Sequence, residues 1–242
     1  MAKYAIVSDI HGNLIALKKA MADILNLDIT AIILLGDLID YGMQSNEVIR
    51  YIENSPVKII CNIWGNHEKA IMKSDFSRFS SERGVVSAKY TAAHLSQDSK
   101  EYLNTACETA GYKEFELDGK KCLAVHGSLT DHYWKSIFPD NVNGDYKNYD
   151  IVFSGHSHYP HTFYKFYDAD NPLMRNKKAV LFINPGSVGQ PRNHNRNAQY
   201  AVLDTALMET TLKSVPYDVS AAMRLFSNDV DLFYRDRLNL GI

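Results

Sequence analysis

A recurring local pattern restricts the fold of this chain more than any other feature: short apolar runs that stop abruptly at polar residues or glycine. Such runs, bounded by turn residues, are typical of strands that are buried in a sheet. They occur at residues 4–8, 31–35, 58–64, 122–125, 151–153 and 180–183. Helical patterns separate the early runs, at residues 14–25, where Asn13 is a candidate cap, and at 46–52. This alternation predicts βαβ units and a largely parallel sheet.

Between and after these runs the chain changes character. From about residue 68 to 108 the pattern is helical and rich in charge and serine, which predicts a helical insertion at about 69–110. Residues 128–149 are polar, aromatic and irregular, and we expect a covering loop with short helices. Further elements are expected near the end: strands at 198–203 and 210–215, and helices within 220–238. Since no linker interrupts the pattern, we expect a single domain over residues 1–242.

Composition and charge exclude several classes of protein. The chain has 242 residues, 45% hydrophobic and 22% charged, with a net charge of −2, so no global field favours a nucleic-acid polymer or an anionic membrane. Three cysteines without C-x-x-C spacing argue against a disulfide framework and favour a reducing compartment. We therefore expect a cytoplasmic protein without a signal peptide or membrane anchor.

Histidines gather where the predicted strands end. His67, His126, His156 and His158 each follow an apolar run, and His11 follows Asp9 by two residues. Any one of these residues is most simply a turn residue, but that reading does not explain the whole set. Because ligands of open α/β sheets gather at the carboxyl ends of strands, the set predicts a site there.

The residue types at these ends favour a metal site. Imidazole and carboxylate ligands suit Mn, Fe, Zn, Ni and related divalent ions, whereas Ca and Mg prefer oxygen ligands. Two residues separated by one, as in Asp9/His11 and His156/His158, can direct their side chains into one pocket. Seven potential ligands are too many for one tetrahedral ion, so a carboxylate that bridges two ions is needed, and Asp37 is the natural bridge. Two ions can polarise a phosphoryl oxygen and activate a shared water.

Five short motifs occur in order along the chain. They are D-x-H-G-N at 9–13, G-D-x-x-D-x-G at 36–42, G-N-H-E at 65–68, H-G at 126–127 and G-H-S-H at 155–158. Together they resemble the motifs of the calcineurin-like metallophosphoesterases. The later N-P-G-S-V-G-Q-P-R at 184–192 resembles the bacterial and archaeal phosphodiesterase branch of that family.

The resemblance implies a fold and a set of roles. The fold would be an α/β sandwich of two packed mixed β-sheets flanked by helices, with the second sheet largely from strands after residue 160. One metal would be held by Asp9, His11 and His158, the other by Asn66, His126 and His156, with Asp37 bridging them. His67 would protonate the leaving oxygen, Asp40 would orient His67, and a metal-bridged hydroxide would be the nucleophile.

One departure bears on the substrate. Where the protein serine/threonine phosphatases of this family carry arginine, this chain has Tyr41, which argues against a close copy of them. We therefore expect hydrolysis of a small phosphodiester or nucleotide-like substrate, with Asn13 and Arg192 as candidate substrate contacts. The alternatives are a phosphoprotein phosphatase and a metal-binding interaction scaffold without turnover; the intact ligand set counts against the scaffold. A nuclease is disfavoured because the chain lacks a basic stripe.

Overall fold

The computed structural model describes residues 2–242, which form two five-stranded sheets with helices packed against them. The strands are β1 Lys3–Val7, β2 Ala31–Leu34, β3 Ile59–Asn62, β4 Tyr112–Leu117, β5 Lys120–Val125, β6 Ile151–Ser154, β7 His161–Asp168, β8 Lys177–Asn184, β9 Ala198–Asp204 and β10 Glu209–Val215. The helices are α1 Leu14–Leu25, α2 Ser45–Glu53, α3 Asn66–Lys73, α4 Glu82–His94, α5 Gln97–Thr105, α6 Val219–Met223 and α7 Phe233–Leu240, with a 3₁₀ turn at Pro172–Met174.

The first sheet has the strand order β10-β9-β1-β2-β3. β1, β2 and β3 are parallel, and β9 and β10 continue the sheet in antiparallel pairing. Side chains of β1 alternate between its two faces: Tyr4 and Ile6 pack toward the other sheet, while Ala5 and Val7 pack toward the helices. Burial on both faces explains why this strand is a continuous apolar run in the sequence.

The second sheet has the order β4-β5-β6-β8-β7, with β5, β6 and β8 parallel and the two edge strands antiparallel. The expectation that it would come largely from strands after residue 160 was wrong, because β4, β5 and β6 precede that point and β9 and β10 join the first sheet. The sequence patterns also missed β4 and β7. Both are edge strands in which half-buried and exposed residues alternate, so neither forms an apolar run.

The two sheets pack face to face around a shared core. Ile6 and Ile33 of the first sheet lie in one buried cluster with Phe153 and Ile183 of the second. The expected architecture of two packed mixed sheets with flanking helices is confirmed. Each such fully buried side chain contributes about 1.5–3 kcal/mol of hydrophobic stabilisation.

Helices cover the outer face of the first sheet. α1 begins where the Asn13 side chain accepts a hydrogen bond from the Ala16 amide, the cap that the sequence predicts. Its buried residues, among them Leu17 and Ile24, pack in one cluster with Val7 of β1. In the region expected to be helical from residue 68, the structure has α3, α4 and α5.

Residues 128–149 cover the outer face of the second sheet, where Ile137, Tyr146 and Tyr149 pack against Phe182 and its neighbours. This segment contains turns and isolated bridges rather than the short helices that we expected. The cysteines at 61, 107 and 122 are buried and unpaired. No helix within residues 2–242 has the length and apolar character needed to span a membrane.

Candidate metal centre

The residues predicted as ligands follow the carboxyl ends of five strands, three in the first sheet and two in the second, and the packing of the sheets brings these ends together. The residues that follow each strand are Asp9 and His11 after β1, Asp37 after β2, Asn66 after β3, His126 after β5, and His156 and His158 after β6. Six of the seven are buried and His156 is half-buried. The gathering at strand ends that the sequence predicts is thus present in the structure.

Two groups of potential ligands share Asp37. The first contains Asp9, His11, Asp37 and His158, and the second contains Asp37, His126 and His156. Asp37 Oδ2 lies 3.6 Å from His11 Nε2 and 3.3 Å from His126 Nε2, so one carboxylate oxygen faces both groups. A carboxylate that bridges two cations would occupy such a position.

Asn66 completes the second group. Its side-chain oxygen lies 3.0 Å from His126 Nε2 and 2.9 Å from His156 Nδ1. Asn66 is the first residue of α3, directly after the Gly65 cap. The helix start therefore fixes the amide beside the two imidazoles.

Two carboxylate oxygens at the centre of the site have no hydrogen-bond partner, and this bears on whether the site suits cations. Asp9 Oδ2 accepts hydrogen bonds from Ser8 Oγ and the His156 amide, and Asp37 Oδ1 accepts one from the His67 amide. The other oxygen of each carboxylate, Asp9 Oδ1 and Asp37 Oδ2, is buried without a hydrogen-bond partner. A buried carboxylate oxygen left in this state is costly unless a cation pairs with it. The donor set therefore fits two divalent cations.

Backbone carbonyls set the orientation of three imidazoles. Each Nδ1 faces a carbonyl oxygen: His11 that of Ile39 at 3.3 Å, His126 that of Leu35 at 2.7 Å, and His158 that of Gln190 at 2.6 Å. Because a carbonyl only accepts, Nδ1 carries a proton in each ring, which leaves Nε2 as the position that a metal would bind.

Burial and neighbouring charges shift the pKa values of the imidazoles in different directions. Burial lowers the pKa of His11 and His158 well below the usual range and that of His156 to about 3, so these side chains are neutral. Burial opposes charge on His126 as well, but the Asp37 carboxylate outweighs it and raises the pKa of His126 to about 9. In the metal-free protein, His126 holds a proton that a cation must displace.

Most of the predicted ligands have unusual backbone conformations. Asp9, His11, Asp37, His156 and His158 have positive φ values of 55°, 48°, 52°, 65° and 58°. The left-handed region costs a non-glycine residue on the order of 1 kcal/mol or more, so the surrounding structure must hold these turns in place. Hydrogen bonds between the loops do so, including His11 N to Asp37 O at 2.9 Å.

Glu68 joins two of the ligand loops. Its carboxylate accepts hydrogen bonds from the amides of Asp37 at 2.8 Å, Leu38 at 2.8 Å, Ile39 at 3.2 Å and Gly65 at 2.7 Å, and the side chain is fully buried. A Cβ at Gly65 would lie 2.0 Å from Asp37 Oδ1, so glycine is required for the approach of the loops. The motif containing Glu68 was visible in the sequence, but its role in bracing these loops was not predicted.

The segment after β8 supports the site from the opposite side. Ser187 Oγ donates to the Asp9 carbonyl at 2.7 Å, and the Gly189 amide donates to the same carbonyl at 3.0 Å. The Gln190 carbonyl is the partner of His158 described above. The motif at 184–192 therefore positions the loops that carry Asp9 and His158.

His67 stands beside the two groups and lines the cavity above them. Its Nδ1 lies 2.6 Å from Asp40 Oδ2, while its Nε2 lies 3.9 Å from Asp37 Oδ2. Ser87 and Thr91 of α4 donate hydrogen bonds to Asp40 Oδ1 at 2.7 and 2.9 Å. Burial lowers the pKa of His67, but the charges of Asp37 and Asp40 outweigh it, so the net shift is upward. With Nδ1 engaged by Asp40, Nε2 is the ring nitrogen that remains for the cavity.

The cavity itself has a volume of about 720 Å³ and carries mostly positive charge. Four arginines line it, Arg78, Arg83, Arg192 and Arg237, whereas the only lining carboxylate is Asp37. Arg192 was a candidate substrate contact from sequence. The other three were missed because they lie on distant segments with no shared local pattern.

Asn13, the other candidate substrate contact, lies outside the set of residues that line the cavity, unlike Arg192. It is buried, and its amide group donates to the Gly189 carbonyl at 3.1 Å and to the Tyr217 hydroxyl at 3.3 Å. Together with its cap to α1, these bonds give Asn13 a structural role, and substrate contact stays a prediction.

Several known proteins resemble this chain over nearly its whole length. The uncharacterised protein MJ0912 of Methanocaldococcus jannaschii is 29% identical over 246 residues, covering 98% of this chain and 97% of that protein. A metallophosphoesterase structure from Sphaerobacter thermophilus has a TM-score of 0.73 at 23% identity, covering 99% of this chain and 100% of the other. The structure of hypothetical protein PH1004 from Pyrococcus horikoshii has a TM-score of 0.76 at 21% identity, covering 97% and 98%.

A model of one protein family also matches most of the chain. The model is described as the calcineurin-like phosphoesterase superfamily domain, and it matches residues 2–207. That range contains all five motifs and both groups of potential metal ligands. The resemblance seen in the sequence is confirmed, and this chain belongs to the calcineurin-like phosphoesterase superfamily.

Proposed function

We propose that this chain is a metal-dependent phosphoesterase that hydrolyses a small phosphodiester or nucleotide-like substrate. The observation that carries the proposal is the position of Asp37 Oδ2, a buried oxygen without a donor that faces His11 on one side and His126 on the other. A site built in this way suits two cations that share one carboxylate.

The ligand assignment follows from the two groups. Asp9, His11 and His158 would hold one cation, and Asn66, His126 and His156 the other, with Asp37 common to both. Mn, Fe, Zn and Ni are compatible with this mixture of imidazole and oxygen donors. When bound, the two cations would polarise a phosphoryl oxygen and lower the pKa of the attacking water.

His67 supplies the proton that the leaving group needs. With Nδ1 held by Asp40, only Nε2 faces the cavity, and Tyr41 and Phe79 pack against the ring with centroids 4.5 and 5.1 Å away. As the ester bond breaks, Nε2–H gives its proton to the leaving oxygen. The Asp40 carboxylate stabilises the imidazolium before this transfer.

The cavity supports a substrate of nucleotide size. Its volume of about 720 Å³ lies within the range of about 300–1,000 Å³ that is usual for small-molecule sites, and it is far larger than inorganic phosphate requires. Trp134 from the segment 128–149 lies on its wall. Arginines and an aromatic wall together favour a phosphorylated molecule with a planar group.

The test is hydrolysis of bis(p-nitrophenyl) phosphate and p-nitrophenyl phosphate by protein stripped with chelator, with Mn, Ni, Zn or Mg then restored. We expect turnover only with metal, and the ratio of diester to monoester rates identifies the substrate class. His67→Ala should lower turnover of diphenyl phosphate, whose poorer leaving group needs a proton, by about 10²-fold or more, while its metal content stays at the wild-type level.

His94→Ala is the matched control. His94 is exposed, and its Nδ1 lies 2.8 Å from the Tyr90 carbonyl on α4, outside the cavity, so its loss should leave turnover unchanged. Bound metal without turnover on either ester would favour the interaction scaffold. Turnover confined to phosphopeptides would favour a phosphoprotein phosphatase.

A further inference from the structure

The arginines on the cavity wall differ in depth and in pairing. Arg78 and Arg83 are exposed, and Arg78 is paired with Asp131 at 2.6 Å. Arg237 is only 7% exposed, and Arg192 has a buried Nε without a hydrogen-bond partner. Within residues 2–242, no side-chain carboxylate lies within 4.0 Å of the guanidinium nitrogens of Arg192 or Arg237. Arg192 and Arg237, the two less exposed arginines of the cavity, are therefore without a carboxylate side chain to pair with.

Two like charges close together, one buried and one half-buried, call for an anion. Burial, with the nearby charge of Arg192, lowers the pKa of Arg237 to about 10. The main-chain oxygen of Ile242 accepts a hydrogen bond from Arg237 Nε, and neither terminal NH₂ group of Arg237 donates one within residues 2–242. Buried charge is costly unless it is paired, and paired guanidinium groups match the oxygens of a phosphate.

The fold holds these groups at a fixed place beside the metal centre. Arg237 lies on α7, with its guanidinium carbon 5.1 Å from the Phe233 ring centroid. Arg192 lies in the segment after β8, two residues after Gln190, whose carbonyl faces His158. Arg192 and Arg237 line the same cavity as His156 and His158, which places them near the predicted metal ligands. Such a location is suited to a phosphate linked to the one at the metals.

We propose that Arg192 and Arg237 bind a second phosphate group, so that the substrate carries at least two linked phosphates, as nucleoside polyphosphates and dinucleoside polyphosphates do. This inference rests on the proposed function, since it assumes that a phosphoryl group occupies the neighbouring metal centre. The exposed Arg78 and Arg83 lie at the mouth, where they attract the same polyanion.

Calorimetric binding of two non-hydrolysable probes, methylphosphonate and methylenediphosphonate, to manganese-loaded protein tests the inference. The wild type should bind methylenediphosphonate at least ten-fold more tightly than methylphosphonate. Arg192→Gln should reduce that advantage by about ten- to a hundred-fold, the effect of losing a charge-assisted hydrogen bond. Arg237→Lys keeps the charge but loses the paired donors, and should reduce it in the same direction.

Arg235→Gln is the matched control, because Arg235 lies on the same helix, pairs with Asp236 at 2.7 Å and does not line the cavity. Equal affinity of the wild type for both probes, or an advantage that survives in Arg192→Gln, overturns the inference. Turnover of bis(p-nitrophenyl) phosphate, measured in parallel, separates the two proposals. Turnover with no diphosphonate advantage refutes only the second phosphate site, whereas an arginine-dependent advantage without turnover supports that site and refutes the phosphoesterase proposal.

Discussion

The hydrogen bond between Asp40 and His67 leads to a prediction about leaving groups. Asp40→Asn keeps the shape of the side chain, and its amide group can still bond to His67 Nδ1 and to the hydroxyls of Ser87 and Thr91. What it removes is a negative charge 2.6 Å from the imidazole in a fully buried position. The protonated form of His67 should therefore lose stability while the fold and the metal ligands remain.

The size of the effect follows from that contact. An adjacent carboxylate shifts a pKa by about 1–3 units, so the pKa of His67 should fall by that amount in the variant. The proposed role of His67 as an acid sets the sign: activity should be lost as the pH rises through its pKa, and in the variant this loss should move to lower pH. Above the wild-type pKa, the protonated fraction falls about 10- to 10³-fold.

The assay compares kcat for diphenyl phosphate, whose leaving group needs a proton, with kcat for bis(p-nitrophenyl) phosphate, whose leaving group departs as a stable anion. Asp40→Asn should lower the first by about 10- to 10³-fold and the second far less, with the alkaline limb of the pH profile moved to lower pH. Equal losses on the two esters, or an unmoved profile, would refute the assignment of His67 as the acid held by Asp40. Unchanged metal content and thermal unfolding provide the control.

Three further predictions concern the metal centre. Glu68→Gln replaces an acceptor oxygen with an amino group and leaves two of the four buried backbone amides without a partner. Urea denaturation should therefore show that the free energy of unfolding falls by about 2–6 kcal/mol. The control Glu101→Gln, at an exposed position, should change it very little. Gly65→Ala places a Cβ 2.0 Å from Asp37 Oδ1, and plasma mass spectrometry should find less than two metals per chain; full occupancy would contradict the close approach. At pH 7, metal binding should release at least one proton, because burial and the Asp37 carboxylate give His126 a pKa of about 9, and affinity should rise about tenfold or more per pH unit up to that value. Calorimetry in buffers of different ionisation enthalpy measures this release, and no release would exclude a protonated His126.

The sequence predicted those parts of the fold that leave a local pattern. β1 and β2 are apolar on both faces, so their runs and the polar residues after them were visible without a structure. β4 and β7 were missed because an edge strand buries only one face, and their alternating polar and aromatic residues do not form a run. The placement of β9 beside β1 depends on contacts nearly 200 residues apart in the chain, which no local pattern encodes.

The candidate site likewise contains some residues that the sequence predicted and others that it did not. The predicted ligands are turn residues at strand ends, and the structure brings them together around Asp37, although their binding of metal stays a prediction. The residues that support them were not predicted. Ser87 and Thr91 reach Asp40 from a helix more than 45 residues away, and Arg237 enters the cavity from the last helix. In the sequence these are ordinary helix residues, and only the packing gives them a function.

The most direct test of the account is a titration of chelator-stripped protein with measured equivalents of Mn²⁺, in which bound metal and bis(p-nitrophenyl) phosphate turnover are recorded together. The shared Asp37 predicts two bound ions per chain, with turnover that appears as the second is bound, and Asp37→Asn should weaken both ions at once. Turnover that is complete after one equivalent, or that persists without metal, would contradict the two-ion site.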